Sequence, residues 1–461
     1  MRKFVLRVNL ITFMSWSLFF LTAYAYPPLE YTLSDLSHFQ SASKSWTMVG
    51  DVSVNLKKPE RFITKDGAGI LLNLPTRKAK GEDLFTKKEF GDIELELNFL
   101  MPKEGNSGIY LQGRYEVQLE DTWFSQNATS ASNGGIYNLA PPRFSVSKAP
   151  GLWQKLKISF QAPKFDHAGK KIKNAKIRKV ELNGVTVQED VELPAPTPGA
   201  VSTEEVPLAP LRIQGDHGPV AFKDIVVTEN PEINKKSDSN FISDPIWVEG
   251  SATPILRSFM DIGDGVRVTH AVSVAGKEGL HYTYDLDHGV VLQVWRGGFL
   301  DATPMWDGRG NGTSRPLGVV QKLSDQRLQI ASLADEQADW PVDTAQSDFI
   351  SKGYTVDTNN IPTFIYHQYG NKISDRSEVV DNGAKLHRVI CTEGSSEQLY
   401  VLLAEDEFIE EQAKGEYIIG DQSYYLTIDD VKSVKPFIRE KNGKKQLLVS
   451  LKESLGYSVI L

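Results

Sequence analysis

The sequence predicts an all-β protein, and three observations carry that reading. Residues 92–100 and 106–121 alternate apolar with polar side chains, and no convincing long helical repeat accompanies them. Asn183-Gly184 separates two strand-like runs, which is a strong hairpin signal. Proline and glycine punctuate the chain, with five prolines between 194 and 210.

The chain of 461 residues exceeds what one hydrophobic core of ~250–300 residues usually holds, so two units are expected. Residues 1–25 read as an export signal. Arg2, Lys3 and Arg7 are followed by an apolar run from 10 to 21 and by Ala23-Tyr24-Ala25, a small-x-small cleavage pattern. The apolar run is short for a membrane span of ~20 residues. Tyr26 rather than cysteine follows the expected cut, which argues against lipid attachment. An exported protein, periplasmic or extracellular, is expected. Removal of three basic and no acidic residues with 1–25 takes the formal net charge from −8 to −11. That balance disfavours nucleic acid or an anionic membrane as partner, because a phosphate backbone selects basic surface. Cys391 is the only cysteine, which excludes an intramolecular disulfide and thiolate metal clusters and leaves a buried thiol or a rare reactive one. The sequons at Asn127 and Asn311 matter only where the chain meets a glycosylating pathway.

In chain order, 33–40 is a short helix or an irregular lead-in. Strands are expected at 46–55, 69–74, 83–85 and 92–100, followed by two short strands in 106–121 joined at Gly113-Arg114. The segment 133–142 is a Gly/Pro loop around one aromatic. A strand at 152–161, a turn at 163–171 and a hairpin of 175–182 with 185–191 follow. The proline-rich stretch 194–210 is a surface loop, and strands at 211–214 and 221–229 close the first unit, 26–229. The polar segment 230–244 reads as a linker. The second unit, 245–461, is again mostly β, with strands expected at 266–274, 281–285, 290–295, 327–330, 363–367, 385–391, 398–403, 424–428 and 446–451.

The stretch NSGIYLQGRYEVQLED (106–121) holds the best site candidate. Side chains on a strand repeat every two residues. Tyr115, Val117 and Leu119 therefore share one face, and Glu116, Gln118 and Glu120 the other, as do Tyr110 and Gln112 on the preceding strand.

Several motifs in order make 46–229 resemble the 3-keto-disaccharide hydrolase domain family, which has a concanavalin-like jelly-roll β-sandwich fold. They are FGDIELELNF (90–99), the 106–121 stretch, GGIY (134–137), the 153–160 strand with APKFDHAGKK (162–171), LNGV (182–185) and PLRIQGDHGPVAFKDIVV (210–227). The resemblance implies a carbohydrate substrate, a glycoside already oxidised to a ketone at C3, cleaved as by a glycoside hydrolase or lyase. A 3-keto group acidifies the C2 proton. A base removes it, the C1 substituent leaves by elimination, and water then adds. Such a route needs a base, an enolate stabiliser and an acid.

Glu116 is the first choice for base or acid. Glu120 is a second catalytic candidate, and Asp121 a binding candidate. Either of these two could instead cap a turn, hold a metal or face water. Glu116-x-Gln118-x-Glu120 also resembles the Glu-x-Asp-x-Glu strand of retaining glucanases, but Gln118 replaces the middle acid and would hold a sugar hydroxyl instead. Arg212 and Gln214 alternate outward from Leu211 and Ile213. Arg212 suits an enolate oxygen or a salt bridge to a sheet carboxylate, and Gln214 a sugar hydroxyl. His217 could act as acid, base or metal ligand. Tyr110 and Tyr137 offer stacking surfaces, Gln112 a polar contact, and Trp153 core packing. Calcium or zinc is compatible with the ligand types of His217, Glu116, Glu120 and Asp121, although no tight ligand spacing is present. Two other readings stay open: a non-catalytic, lectin-like carbohydrate-binding protein, and an ordinary glucanase on the same fold.

In the second unit, 269–310 resembles a segment found beside such domains and near cytochrome domains, which implies no function. His270, His281, Asp285, Trp295, Arg296, Asp301 and Trp306 there would suit a sugar platform or a sandwich core with satisfied polar groups.

Overall fold

The computed structural model describes residues 29–125, 127–229, 245–306, 308–394 and 398–461. The export signal expected at 1–25 and the linker expected at 230–244 lie outside them. The described chain is almost wholly antiparallel β-structure, as the alternation predicts.

Fourteen strands form the part up to residue 229. They are β1 (Leu29–Thr32), β2 (Trp46–Asn55), β3 (Lys58–Asn73), β4 (Leu84–Phe90), β5 (Ile93–Leu100), β6 (Asn106–Leu111) and β7 (Tyr115–Glu120). These are followed by β8 (Gln154–Gln161), β9 (Lys164–Phe165), β10 (Lys171–Lys173), β11 (Ala175–Leu182), β12 (Val185–Leu193), β13 (Ala209–Ile213) and β14 (Val220–Glu229). One sheet runs β12-β11-β8-β5-β14-β3-β2, with β1 also on β14. A second runs β4-β13-β6-β7. Their facing sides share one core. Leu95, Leu97 and Phe99 of β5 meet Ile109 and Leu111 of β6, Val117 and Leu119 of β7, and Leu211 and Ile213 of β13. This is the jelly-roll β-sandwich, and its dry interior fixes the register. A slip of one residue on β7 would turn Glu116 and Gln118 into the core.

The hairpin β11–β12 turns at Asn183 (φ 54°) and Gly184 (φ 82°), the left-handed pair that an Asn-Gly signal predicts. The segment 33–40 is the irregular lead-in, holding one 3₁₀ turn, Leu36–His38. Two expectations are corrected. β1 and the first two-thirds of β3 are unforeseen strands, because their side chains are largely exposed on both faces and show no apolar period. The turn at 163–171 carries the small hairpin β9–β10.

After residue 245, β15 (Trp247–Val248), β16 (Ile255–Asp261), β17 (Arg267–Ala275), β18 (Leu280–Asp285), β19 (Val290–Asp301) and β20 (Arg315–Lys322) make a six-stranded sheet. A four-stranded sheet and an eight-stranded sheet follow. Among the described residues no strand before 229 pairs with one after 245. The two parts nevertheless touch. Gln422 Nε2 donates to the Val52 carbonyl at 2.7 Å, and Tyr425 OH to that of Pro150 at 3.2 Å. Ala149, Leu152, Ile418, Tyr425 and Ile460 form an apolar cluster between them. Cys391 is half-buried rather than buried. No described helix is long and apolar enough to cross a membrane.

Candidate active site

A cleft of about 380 Å³ lies on the outer face of the β4-β13-β6-β7 sheet. Tyr110, Glu116, Gln118, Tyr137, Arg212, Gln214 and His217 all line it, with Asp83, Asn106, Pro198, Gly199 and Asp216. Residues more than a hundred positions apart meet there because β6 pairs with both β7 and β13. Tyr110 stands opposite Glu116 on one side and Arg212 on the other. The 133–142 loop runs along the free edge of β7, where Gln118 N–H donates to the Gly135 carbonyl at 2.9 Å and Tyr137 N–H to that of Glu116 at 3.2 Å. The proline-rich loop covers the other side, with Thr197 Oγ accepting the Glu116 N–H at 3.0 Å. Side chains on an outer sheet face are therefore buried, and Glu116 is only 2% exposed.

Burial pushes the Glu116 carboxyl up to about 7, against the opposing pull of its hydrogen bond with Tyr110 and of the Arg212 and His217 charges. Burial also raises the Tyr110 phenol, helped by Glu116. The Arg212 guanidinium lies 3.6 Å from the Tyr110 ring centroid, a cation–π contact. Its Nη1 donates to the Gly199 carbonyl at 2.8 Å, and its Nε stands 3.1 Å from Asp83 Oδ2. Both readings of Arg212 are thus present in one side chain, a salt bridge and a cation facing the cleft. Gln118 Nε2 donates to Asn106 Oδ1 at 3.1 Å. Gln214 Oε1 is buried with no partner among the described residues and offers an acceptor. His217 is half-exposed at the rim, with Nδ1 against the Asp216 carboxylate. Gly108 makes room for the base, since a Cβ there would stand 2.4 Å from Glu116 Oε1.

Three predicted site residues stay outside the cleft. Gln112 takes a left-handed conformation (φ 53°) at the hairpin tip, and its buried Nε2 donates to the carbonyls of Phe90 and Pro207 at 3.1 and 3.0 Å. It staples the turn. Glu120 shares the face of Glu116 but ends the strand, ~13 Å further along; burial and the Asp121 charge raise its pKa. Asp121 caps the following turn, accepting the N–H groups of Glu104 at 3.0 Å and Trp123 at 3.3 Å. Trp153 packs in a core cluster, with the Lys223 ammonium 4.3 Å from its ring centroid. Among the described residues no group of three or more His, Cys, Asp or Glu is gathered to hold a metal ion. Sequence reasoning missed Asp83 and Asn106. Asn106 opens the NSGIY motif, whereas Asp83 carries no local signal and arrives from the residue just before β4.

The second-unit residues are mostly committed to their own fold. His281 is buried, which lowers it to about 4, and its Nε2 faces the Gly297 carbonyl at 3.1 Å. Trp295 Nε1 donates to the Gly298 and Phe299 carbonyls. Asp301 pairs with Arg315, Asp285 with His288, and His270 with Asp287. Trp306 is exposed.

No curated protein matches the chain. Crystal structures of three candidate glycosyl hydrolases from Parabacteroides distasonis ATCC 8503 are similar to it. One is 25% identical, with 44% of this chain and 92% of the other covered and a TM-score of 0.33. The second is 19% identical, with 43% and 98% covered and a TM-score of 0.30. The third is 17% identical, with 41% and 89% covered and a TM-score of 0.27. The match of a family model to the segment that holds the cleft supports a glycosidase-like carbohydrate function. Residues 34–228 match the model of a 3-keto-alpha-glucoside-1,2-lyase-like domain, the family that the sequence motifs resemble.

Proposed function

We propose that the chain is an exported enzyme that cleaves 3-keto-glycosides or 3-keto-disaccharides by elimination and hydration. The observation that carries this reading is the buried Glu116 carboxyl, held at about 7 beside Tyr110 and Arg212. A base poised near neutrality suits abstraction of a weakly acidic C–H. Glu116 takes the C2 proton, and the electron pair moves onto the C3 oxygen as an enolate. The Arg212 cation and the Tyr110 hydroxyl offset that charge. As the C3 carbonyl reforms, the C1–C2 double bond forms and the C1–O bond breaks. The aglycone oxygen takes a proton from His217 at the rim. Water then adds its hydroxyl to C1 and a proton to C2. Gln118 and Gln214 hold ring hydroxyls, and Tyr137 stacks on a sugar face. An ordinary retaining mechanism fits less well. It needs a second free carboxyl ~5–5.5 Å from the first, whereas Glu120 lies outside the cleft and Asp83 pairs with Arg212.

The test is turnover of a 3-keto-α-glucoside in heavy water. Aglycone release with deuterium at C2 of the sugar is the expected result, and His217→Ala slows it most for poor leaving groups. Release without label at C2 would mean direct displacement, and glycan binding without release would make the protein a lectin. Either outcome overturns the proposal.

The room left by Gly108 gives a second expectation. Gly108→Ala drives the Glu116 carboxylate from its seat, and a shift of about 1 Å costs ~10²-fold in turnover. The circular dichroism of the sheet stays unchanged. Full activity in this variant would remove Glu116 from the reaction.

A further inference from the structure

A groove of about 620 Å³ lies between the loop between β7 and β8 of the first part and β15 and β19 of the second. It shares no lining residue with the Glu116 cleft. Two aromatic side chains in it are open to solvent, Trp247 at 47% and Phe124 at 55% exposure. Each is braced by a second ring. Phe144 meets Trp247 edge-on with centroids 5.7 Å apart, and Trp123 lies 4.2 Å from Phe124. Trp123 is itself pinned by its Nε1–H on the Leu461 carbonyl at 2.7 Å. Rigid, exposed aromatic faces are the surfaces on which sugar rings stack.

The same groove contains the Arg296 cation, which has no carboxylate partner among the described residues and lies 5.8 Å from the Trp123 ring centroid. Arg296 is 6% exposed and donates through Nη2 to the Gly383 carbonyl at 2.6 Å. Its Nε is buried with no hydrogen-bond partner among the described residues. Burial lowers its pKa to about 10, and among the described residues no carboxylate pulls it back. A guanidinium kept from water in this way is stabilised by a bidentate oxyanion. Glu249 and Glu278 line the groove further out. In a chain of net charge −8 they repel a multiply charged ligand and can accept sugar hydroxyls.

We propose that this groove binds a saccharide bearing a single acidic group, which Arg296 holds while a ring face lies on Trp247 and Phe124. Carboxylate and sulfate share that chemistry, so both are used as probes. The full chain is titrated by calorimetry with a glucuronate-bearing disaccharide, a monosulfated disaccharide and the neutral parent, with tryptophan fluorescence read in parallel. At least one acidic sugar is expected to bind about tenfold or more tighter than the neutral one. Trp247→Ala, a change at an exposed position, weakens that binding about tenfold. It leaves turnover in the Glu116 cleft unaltered. Arg296→Lys, which keeps the charge but loses the fork, narrows the preference for acid over neutral. Equal binding of all three sugars, no binding at all, or affinity indifferent to Trp247→Ala each overturns the proposal. None of these results bears on whether 3-keto-glycosides are cleaved.

Discussion

Glu116→Gln lowers kcat/KM on a 3-keto-glucoside by ~10²–10⁴-fold, the span expected when a positioned general base is removed. The unmodified enzyme shows the complementary signature. The base must be ionised to accept the C2 proton, and burial holds it at about 7. The rate therefore falls about tenfold for each pH unit below 7, and that acid limb is absent from the residual activity of the variant. The same substitution alters stability in the opposite sense. The folded protein holds this proton at about 7 against 4.5 for the free side chain, so folding favours the protonated form. Stability is full below pH 4.5 and declines as pH rises towards 7, by on the order of 3 kcal/mol once Glu116 is ionised. Glutamine carries no such penalty. Urea unfolding at pH 8 should find Glu116→Gln more stable than the native chain, with the difference gone near pH 4. A variant with unimpaired turnover, or one equally stable at both pH values, excludes a buried ionised base at this position.

The second large effect is structural and lies in the eight-stranded sheet. Asp375 and Arg388 meet diagonally across paired strands, with side chains 0% and 3% exposed. Arg388 Nε donates to Asp375 Oδ1 at 2.8 Å, and its Nη1 donates to Gln329 Oε1 at 2.8 Å and the Tyr457 hydroxyl at 2.9 Å. Tyr284 OH donates to Asp375 Oδ2 at 2.9 Å. Asp375→Ala leaves a guanidinium buried without its counter-ion and costs ~3–5 kcal/mol. Denaturant midpoints measure it. The double change Asp375→Leu with Arg388→Met removes both charges and should recover a large part of the loss. A single variant as stable as the native chain would show that water reaches the pair.

That pair also explains a strand that the sequence hides. Asn371–Val380 buries Asn371, Ile373, Asp375 and Ser377. Its inward face is mostly polar, so a search for apolar alternation passes over it. Ile93–Leu100 is the opposite case, with Leu95, Leu97 and Phe99 inward and Glu94, Glu96 and Asn98 outward. Both its faces speak through residue type alone. The candidate site divides in the same way. Glu116, Gln118, Tyr110, Arg212 and Gln214 were legible because strand period fixes which way they point. Gln112 obeyed the same arithmetic and failed, because its left-handed backbone ends the strand one residue early. Asp83 was illegible for another reason: its partner Arg212 is a long way along the chain, and only sheet pairing joins them.

The proline-rich wall of the cleft has a consequence for ligand selection. Five prolines stand between 194 and 210, and Pro198 and Gly199 line the cleft. Prolines restrict the unfolded chain more than the folded one, so this wall loses little freedom when it is held in place. A ligand entering beside it has no loop left to order, and more of its contact energy appears as affinity. The reacting groups come from strands and the wall from a loop. Replacement of wall residues should change which aglycones are accepted while the proton affinity of Glu116 stays where the sheet sets it. In evolutionary terms, substrate range and acid–base chemistry can drift independently on this scaffold.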